Sequence, residues 1–322
     1  MMANSVAIVG AGVSGLTTAV VFAEQGWRTA IFAAETGRAT NSAAAAAIWY
    51  PYDTAGDDAV ISWALLTYRE LVELSEQPRT GVSMIEMRNF SRTGEIQMPT
   101  WAADLGGLRL RPNELSIPSS PQVPMRFLSG FSLTVPVMDT TRYLDYLARR
   151  LLDTGGSVTG DSLFDHLEEV DREFGLVINC SGIGAMTLVP DSDLEPHRGQ
   201  VAVVQKLDLS CAVVCDDPPL MYAIPRTDDC VFGGTNDLSD NREVDPAATS
   251  RIVSECSRVL NIGEPVVTAE RVGLRPFRKG GIYLRRERLC DGRPVIHNYG
   301  HGGSGFTVSW GCARSVFELV RV

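Results

Sequence analysis

Val6-Ala7-Ile8-Val9-Gly10-Ala11-Gly12-Val13-Ser14-Gly15 is the stretch on which the fold of this chain turns. Four apolar residues make a short strand that runs into a GxGxxG turn, and Val13 to Gln25 then reads as a mostly apolar helix closed by Gly26. The three glycines have separate tasks: a tight turn at Gly10, room for a pyrophosphate against the backbone at Gly12, and close helix–strand packing at Gly15. The helix start at Val13 and Ser14 offers unpaired N–H groups and a positive dipole end to phosphate. Arg28 to Phe32 follows as a second strand. Glu35, twenty residues after Gly15, stands where a carboxylate would take ribose hydroxyls. An exposed glutamate with no ligand is the other reading of that residue. The unit predicts a Rossmann-type α/β dinucleotide-binding fold, without separating FAD from NAD.

The rest of the chain is compatible with that start. Its 322 residues favour two domains, and 44% hydrophobic with 21% charged residues is ordinary for a globular protein. A net charge of -10 argues against nucleic acid or anionic membranes as partners. The seven cysteines are an odd number without a CxxC pair, which predicts a reducing compartment, no disulfide framework and no metal cluster. No eighteen-residue apolar run predicts a transmembrane helix, and a cytoplasmic protein is expected. A homodimer is the assembly we allow for.

Residues from about Ala55 to Val135 carry prolines and turn signals with short strand-like runs such as Phe127 to Val135. Asp139 then reads as an N-cap, and Tyr143, Leu144, Leu147 and Leu151 recur at helical spacing until Gly155 and Gly156. Leu176 to Cys180 is an apolar strand, His197 to Asn236 is strand-rich, and Asp245-Pro246 starts a helix towards Leu260. Val295 to His297, a glycine-rich loop and a helix near Phe306 to Leu319 close the chain. Helix-bearing and β-rich pieces alternate, so two interleaved domains are expected.

In the closing segment, Val272-Gly273-Leu274-Arg275-Pro276, then Val295 to Gly305 (VIHNYGHGGSG) and Trp310-Gly311-Cys312-Ala313, the chain resembles the D-amino acid oxidase family. Ile48-Trp49-Tyr50-Pro51-Tyr52, Val177 to Gly182 (VINCSG), Arg198-Gly199-Gln200 and Tyr222-Ala223-Ile224-Pro225 fit in the family's order. The resemblance spans nearly the whole chain and is loose over Ala55 to Pro124. It implies FAD as cofactor, a Rossmann-type FAD-binding domain over 1–48, 137–196 and 289–322, and an α+β substrate-binding domain over 49–136 and 197–288.

The same resemblance assigns residues. Arg275 would bind the substrate carboxylate, a role that suits arginine's planar fork, with a surface or interdomain salt bridge as its bland alternative. Tyr222 would share that carboxylate; a half-buried strand tyrosine is the alternative. The carbonyl of Gly303 would hold the substrate amino group. Besides Gly10, Gly12, Val13, Ser14, Gly15 and Glu35, the FAD contacts implied are Asn41, Ser42, Ala46, Ala47 and Ile48, then Cys180, Ser181 and Gly182. The last set is Gly300, Gly302, Gly303, Gly305, Phe306 and Thr307. N–H groups of that loop and of the final helix would face the flavin's pyrimidine edge, where charge accumulates on reduction. His297 and His301 are read as loop-ordering residues rather than bases.

The chemistry implied is hydride transfer from the substrate Cα to flavin N5. The imino acid then hydrolyses to a 2-oxo acid and ammonia, and molecular oxygen reoxidises the flavin to give hydrogen peroxide. Such a site needs orientation, a cation and exclusion of water, and no acid–base side chain. Three departures from the family stand out: Ala43 where an aspartate is common, a short Asp216 to Leu220 with Pro218 and Pro219 in place of a lid, and Ser304 and Tyr50 at pocket positions. With no second cation near the site motifs, neutral, fairly bulky D-amino acids are expected. A glycine/sarcosine-type flavin amine oxidase is the nearest alternative. A nicotinamide dehydrogenase and a non-catalytic flavin sensor are the others.

Overall fold

The computed structural model describes residues 4–51, 57–103, 105–110 and 127–320. Tyr52, most of the loosely matching segment between 111 and 126, and the last two residues lie outside them. Ser5–Val9 is buried on both faces, as a central parallel strand must be, and the apolar run that fills it is the reason it sits there. Gly10, at φ +113°, turns the chain into the helix Val13–Glu24, and Gly26 at φ +80° turns it into Arg28–Phe32. The six-stranded sheet runs in the order Tyr283–Arg288, Pro294–Tyr299, Leu176–Asn179, Ser5–Val9, Arg28–Phe32, Ser157–Thr159. All neighbours are parallel except Tyr283–Arg288, which pairs antiparallel with Pro294–Tyr299. Residues 283–288 therefore sit in the sheet of the dinucleotide-binding unit. The sequence reading placed them in the β-rich part, because their charged, alternating pattern is that of an exposed edge strand.

Three helices cover one face. The first packs on Thr140–Asp153 and on Gly305–Leu319, and Asp139 caps the former by accepting from Arg142 N–H at 3.4 Å. A further helix, Asp58–Ser75, occupies sequence read as turn-rich. Val60, Ala64, Thr67, Leu71 and Leu74 form its buried stripe, capped by Asp57, and it lies against Gly305–Leu319. The contact is close: a Cβ on Gly311 would stand 2.3 Å from the Trp63 backbone.

The second sheet has nine strands and is largely antiparallel. Its spine is the long pair Leu194–Gln205 and Val267–Arg278, joined in turn to Asp229–Gly233 and to the hairpin Cys211–Cys215/Met221–Pro225. Val82–Ser91 and Ser129–Met138 continue it. The helix Pro246–Leu260, capped by Asp245 with Pro246 in its first turn, covers one face with Ile252, Val253, Cys256 and Val259. The other face looks across at the carboxyl ends of the parallel strands. No helix among the described residues is long and apolar enough to cross a membrane.

Candidate active site

Between the two sheets lies a cavity of about 1210 Å³. At one end it is lined by Gly10, Gly12, Val13 and Ser14, and by Glu35 beyond the second strand, where an open parallel sheet places its ligands. Ser42 reaches the same turn: its Oγ accepts from Val13 N–H at 3.0 Å, and a Cβ on Gly12 would meet that oxygen at 2.9 Å. The absence of a side chain at residue 12 is what lets Ser42 reach the helix start. Glu35 is half exposed and paired with Arg242 at 3.0 Å, a residue that also lines this end.

The middle of the cavity is lined by small residues and backbone. Asn41 and Ser42 belong to a four-residue helix, Asn41–Ala44, capped by Thr40. The alanine run then leaves the helix and passes as irregular chain, with Ala47 at φ +55°, through Ala46, Ala47 and Ile48 along the cavity wall. Asn41 Oδ1 accepts from Leu274 N–H at 3.0 Å and so ties this wall to the strand that carries Arg275. Opposite are Cys180, Ser181 and Gly182, whose glycine turns at φ +60°. Burial pushes the Cys180 thiol up to about 11, so it is no nucleophile. Gly302, Gly303, Gly305 and Phe306 close the wall. The helix they start, Gly305–Leu319, has Ser304 as N-cap with no side-chain bond to its first turn.

Arg275 and Tyr222 line the same cavity. A Cβ on Gly199 would stand 2.4 Å from Arg275 Nη1, and one on Gly233 would stand 1.9 Å from Tyr222 Cζ. Both side chains therefore lie flat across strands kept bare for them. Arg275 Nη1 donates to Thr235 O at 2.9 Å and Asn236 Oδ1 at 3.3 Å; neither partner carries charge, and no carboxylate pairs with it among the described residues. The interdomain salt bridge is not formed. Gly199, Gly233 and Gly234 escaped the sequence reading as site residues, although Gly199 stood inside a quoted motif. Their role depends on strand register, which one sequence does not display.

Three of the expected contacts lie off the cavity. Gly15 packs the helix on the strand: a Cβ there would fall 1.9 Å from Gly10 O. Gly300, at φ +81°, is closed off by Arg278, whose Cβ would be 3.0 Å away. Thr307 Oγ1 is turned to the backbone of Tyr50, 3.3 Å from both N and O. Asn298, not anticipated, ties the glycine-rich loop to the phosphate turn, donating to Ser14 Oγ at 3.0 Å while its Oδ1 lies 3.0 Å from His301 Nε2. Burial lowers His301 to about 4, and burial likewise lowers His297, next to Glu287 at 3.6 Å. Tyr50 is pushed up to about 12 by burial and by Asp216; its hydroxyl accepts from Asn89 Nδ2 at 2.8 Å. None of these groups is poised as a base near neutral pH. Residues Asp216 to Leu220 are held fast: Asp217 accepts from Ser91 Oγ (2.7 Å), Arg92 N–H (2.6 Å) and Thr93 N–H (3.2 Å).

A helix start reached by one serine hydroxyl, a carboxylate beyond the second strand, a slot walled by alanine and glycine, and a guanidinium with no carboxylate partner among the described residues fit an extended flavin dinucleotide with an anionic substrate beside its ring. Fold and site together define a flavin-linked oxidoreductase. The chain belongs to the FAD dependent oxidoreductase family, whose model matches residues 5–319. It is 36% identical to a D-amino-acid oxidase of Rubrobacter xylanophilus over 97% of this chain and 94% of that one. It is also 36% identical to a D-amino-acid oxidase of Streptomyces coelicolor, over 98% and 96%. Glycine oxidase of Geobacillus kaustophilus superposes with a TM-score of 0.82 at 18% identity, covering 99% of this chain and 95% of that structure. At that identity the likeness is one of fold.

Proposed function

We propose that the enzyme oxidises D-amino acids to 2-oxo acids, releasing ammonia and hydrogen peroxide, with Arg275 and Tyr222 binding the substrate carboxylate. The observation that carries the assignment of roles is the placement of Arg275: a guanidinium on the cavity, bonded among the described residues to a carbonyl and an amide and to no carboxylate. Bound FAD supplies the acceptor for the hydride leaving Cα, and molecular oxygen takes the electrons on. The protein's own contribution is positional. Arginine's fork and the Tyr222 hydroxyl fix the carboxylate, which sets the direction of the Cα–H bond. The Gly303 carbonyl, to which nothing donates among the described residues, is available to a substrate amine. Gly10, Gly12, Val13, Ser14 and Ser42 would hold the pyrophosphate, and Glu35, here paired with Arg242, would take the ribose hydroxyls. The first turn of Gly305–Leu319 favours negative charge at the ring edge.

The parallel sheet then serves as the FAD-binding domain and the antiparallel sheet as the substrate-binding domain. The odd number of cysteines and the lack of a CxxC pair support a reducing, cytoplasmic setting. Assay of 2-oxo acid and peroxide from D-methionine, D-alanine, glycine and sarcosine tests the reading. D-Methionine and D-alanine should give both products. Turnover confined to glycine and sarcosine would replace the reading with its nearest alternative.

A further inference from the structure

The hairpin that carries Tyr222 also carries Asp216. Val214 pairs with Tyr222 and Cys215 with Met221, so alternate residues face opposite sides. Val213, Cys215, Met221 and Ala223 enter the core beneath Pro246–Leu260. Val214, Leu220, Tyr222 and Ile224 line the cavity, and Asp216 lines it by the same alternation. Register then places Asp216 relative to the carboxylate clamp. Val214, Tyr222, Gly233 and Val201 form one line across the sheet. Asp216 and Gly199, over which the Arg275 guanidinium lies, each stand two residues from that line towards the same end. Three strand spacings separate them, about 14 Å at ~4.8 Å each.

Arg275 and Asp216 thus stand opposite one another, cation and anion, across the cavity floor with Tyr222 between. Two charge-assisted contacts of ~2.8 Å leave roughly 8 Å for the ligand that joins them. An alanine does not fill this gap, whereas a carboxylate at one end and a cation on a long flexible stem at the other do. The carboxylate is both preorganised and uncommitted. Its neighbour Asp217 is pinned by three donors. The nearby Arg92 is engaged by Asp217 O at 2.9 Å, by Pro219 O and by Glu255 at 2.7 Å. No hydrogen bond or ion pair reaches Asp216 from the described residues. Asp216 is exposed to the cavity by surface area, yet desolvation by the surrounding protein and the charge of Asp217 hold its carboxyl above the ordinary range, which a bound cation would counter.

We propose that Asp216 selects D-amino acids with cationic side chains, D-arginine and D-lysine above all, a specificity that rests on the function proposed above. It replaces the neutral, bulky substrates expected from sequence, where the search was for a second cation and not for an anion. The same carboxylate repels D-glutamate and D-aspartate.

The test is kcat/KM of the holoenzyme for D-arginine, D-norleucine and D-glutamate, with wild type, Asp216→Asn and Asp216→Arg. Wild type should favour D-arginine over D-norleucine by at least ~10-fold (about 1.4 kcal/mol) and barely use D-glutamate. Asp216→Asn should cut the D-arginine to D-norleucine ratio about tenfold, and Asp216→Arg should invert the order of D-arginine and D-glutamate. D-Norleucine used as well as D-arginine by wild type, or a ratio unmoved in Asp216→Asn, overturns the proposal while D-amino acid oxidation stands. The wild-type ratio decides even where a variant fails to hold flavin. Oxidation of no D-amino acid at all overturns both.

Discussion

Arg275 and Tyr222 occupy their positions because residues 199 and 233 have no side chains, and this makes the proposed carboxylate site sensitive at two removes. Gly199→Ala would place a methyl 2.4 Å from Arg275 Nη1, the far end of a flexible chain, so the guanidinium should swing away while the fold holds. We expect a raised KM for the D-amino acid with a Tm close to wild type; an unchanged KM would mean that the guanidinium does not work from this position. Arg275→Ala removes the charge itself and should lower kcat/KM by about 3 kcal/mol, roughly a hundredfold, with flavin retained. Tyr222→Phe loses one hydrogen bond to a charged group, about 1.5–3 kcal/mol, and should fall short of the arginine variant. Chemistry-bearing residue types were legible in the sequence through motif resemblance. The glycines that clear their paths were not, because they lie on other strands and only register brings them underneath.

At the scale of elements, the strand–turn–helix from Ser5 to Glu24 was readable because each requirement is local: an apolar run, a positive-φ glycine and a helix start. The caps Asp139 and Asp245-Pro246 were readable for the same reason. Asp58–Ser75 was missed since its apolar stripe is interrupted by polar residues and the prolines and glycines that follow it, up to Val135, dominated the composition of the segment. That helix is nonetheless structural: Leu71 is fully buried, and Leu71→Ala should cost about 2–5 kcal/mol, seen as a lower urea midpoint. The phosphate turn makes the complementary prediction. Gly12→Val would fill the gap between the helix start and Ser42, and FAD affinity measured by fluorescence titration should weaken by at least ~10-fold, about 1.4 kcal/mol. Unaltered affinity would place the pyrophosphate elsewhere.

Over the whole molecule, two sheets of different construction enclose one cavity, and the Asn298 contacts that tie the glycine-rich loop to the phosphate turn are neutral. His301 beside Asn298 is the pH-sensitive member of that frame. Its folded value of about 4 lies below the ordinary 6.5, so the unfolded chain binds the extra proton between these limits. The stabilisation is complete above pH 6.5 and is lost as pH falls towards 4, up to about 3 kcal/mol. Urea midpoints of the holoenzyme across this range should fall with acidity, and more gently in His301→Asn; parallel curves would assign the loss to other groups. The interleaving of the sheets was legible as alternating helix-bearing and β-rich sequence. The membership of Tyr283–Arg288 was not, because an exposed edge strand carries no mark of the sheet it joins. The central claim, one cavity that holds FAD and presents it to a D-amino acid, is tested most directly by mixing the purified protein with D- and L-methionine, and with D- and L-arginine, in the absence of oxygen. The visible flavin bands should be present at the outset and bleach with the D-forms alone. A colourless protein, or flavin bands untouched by every D-form, would contradict it.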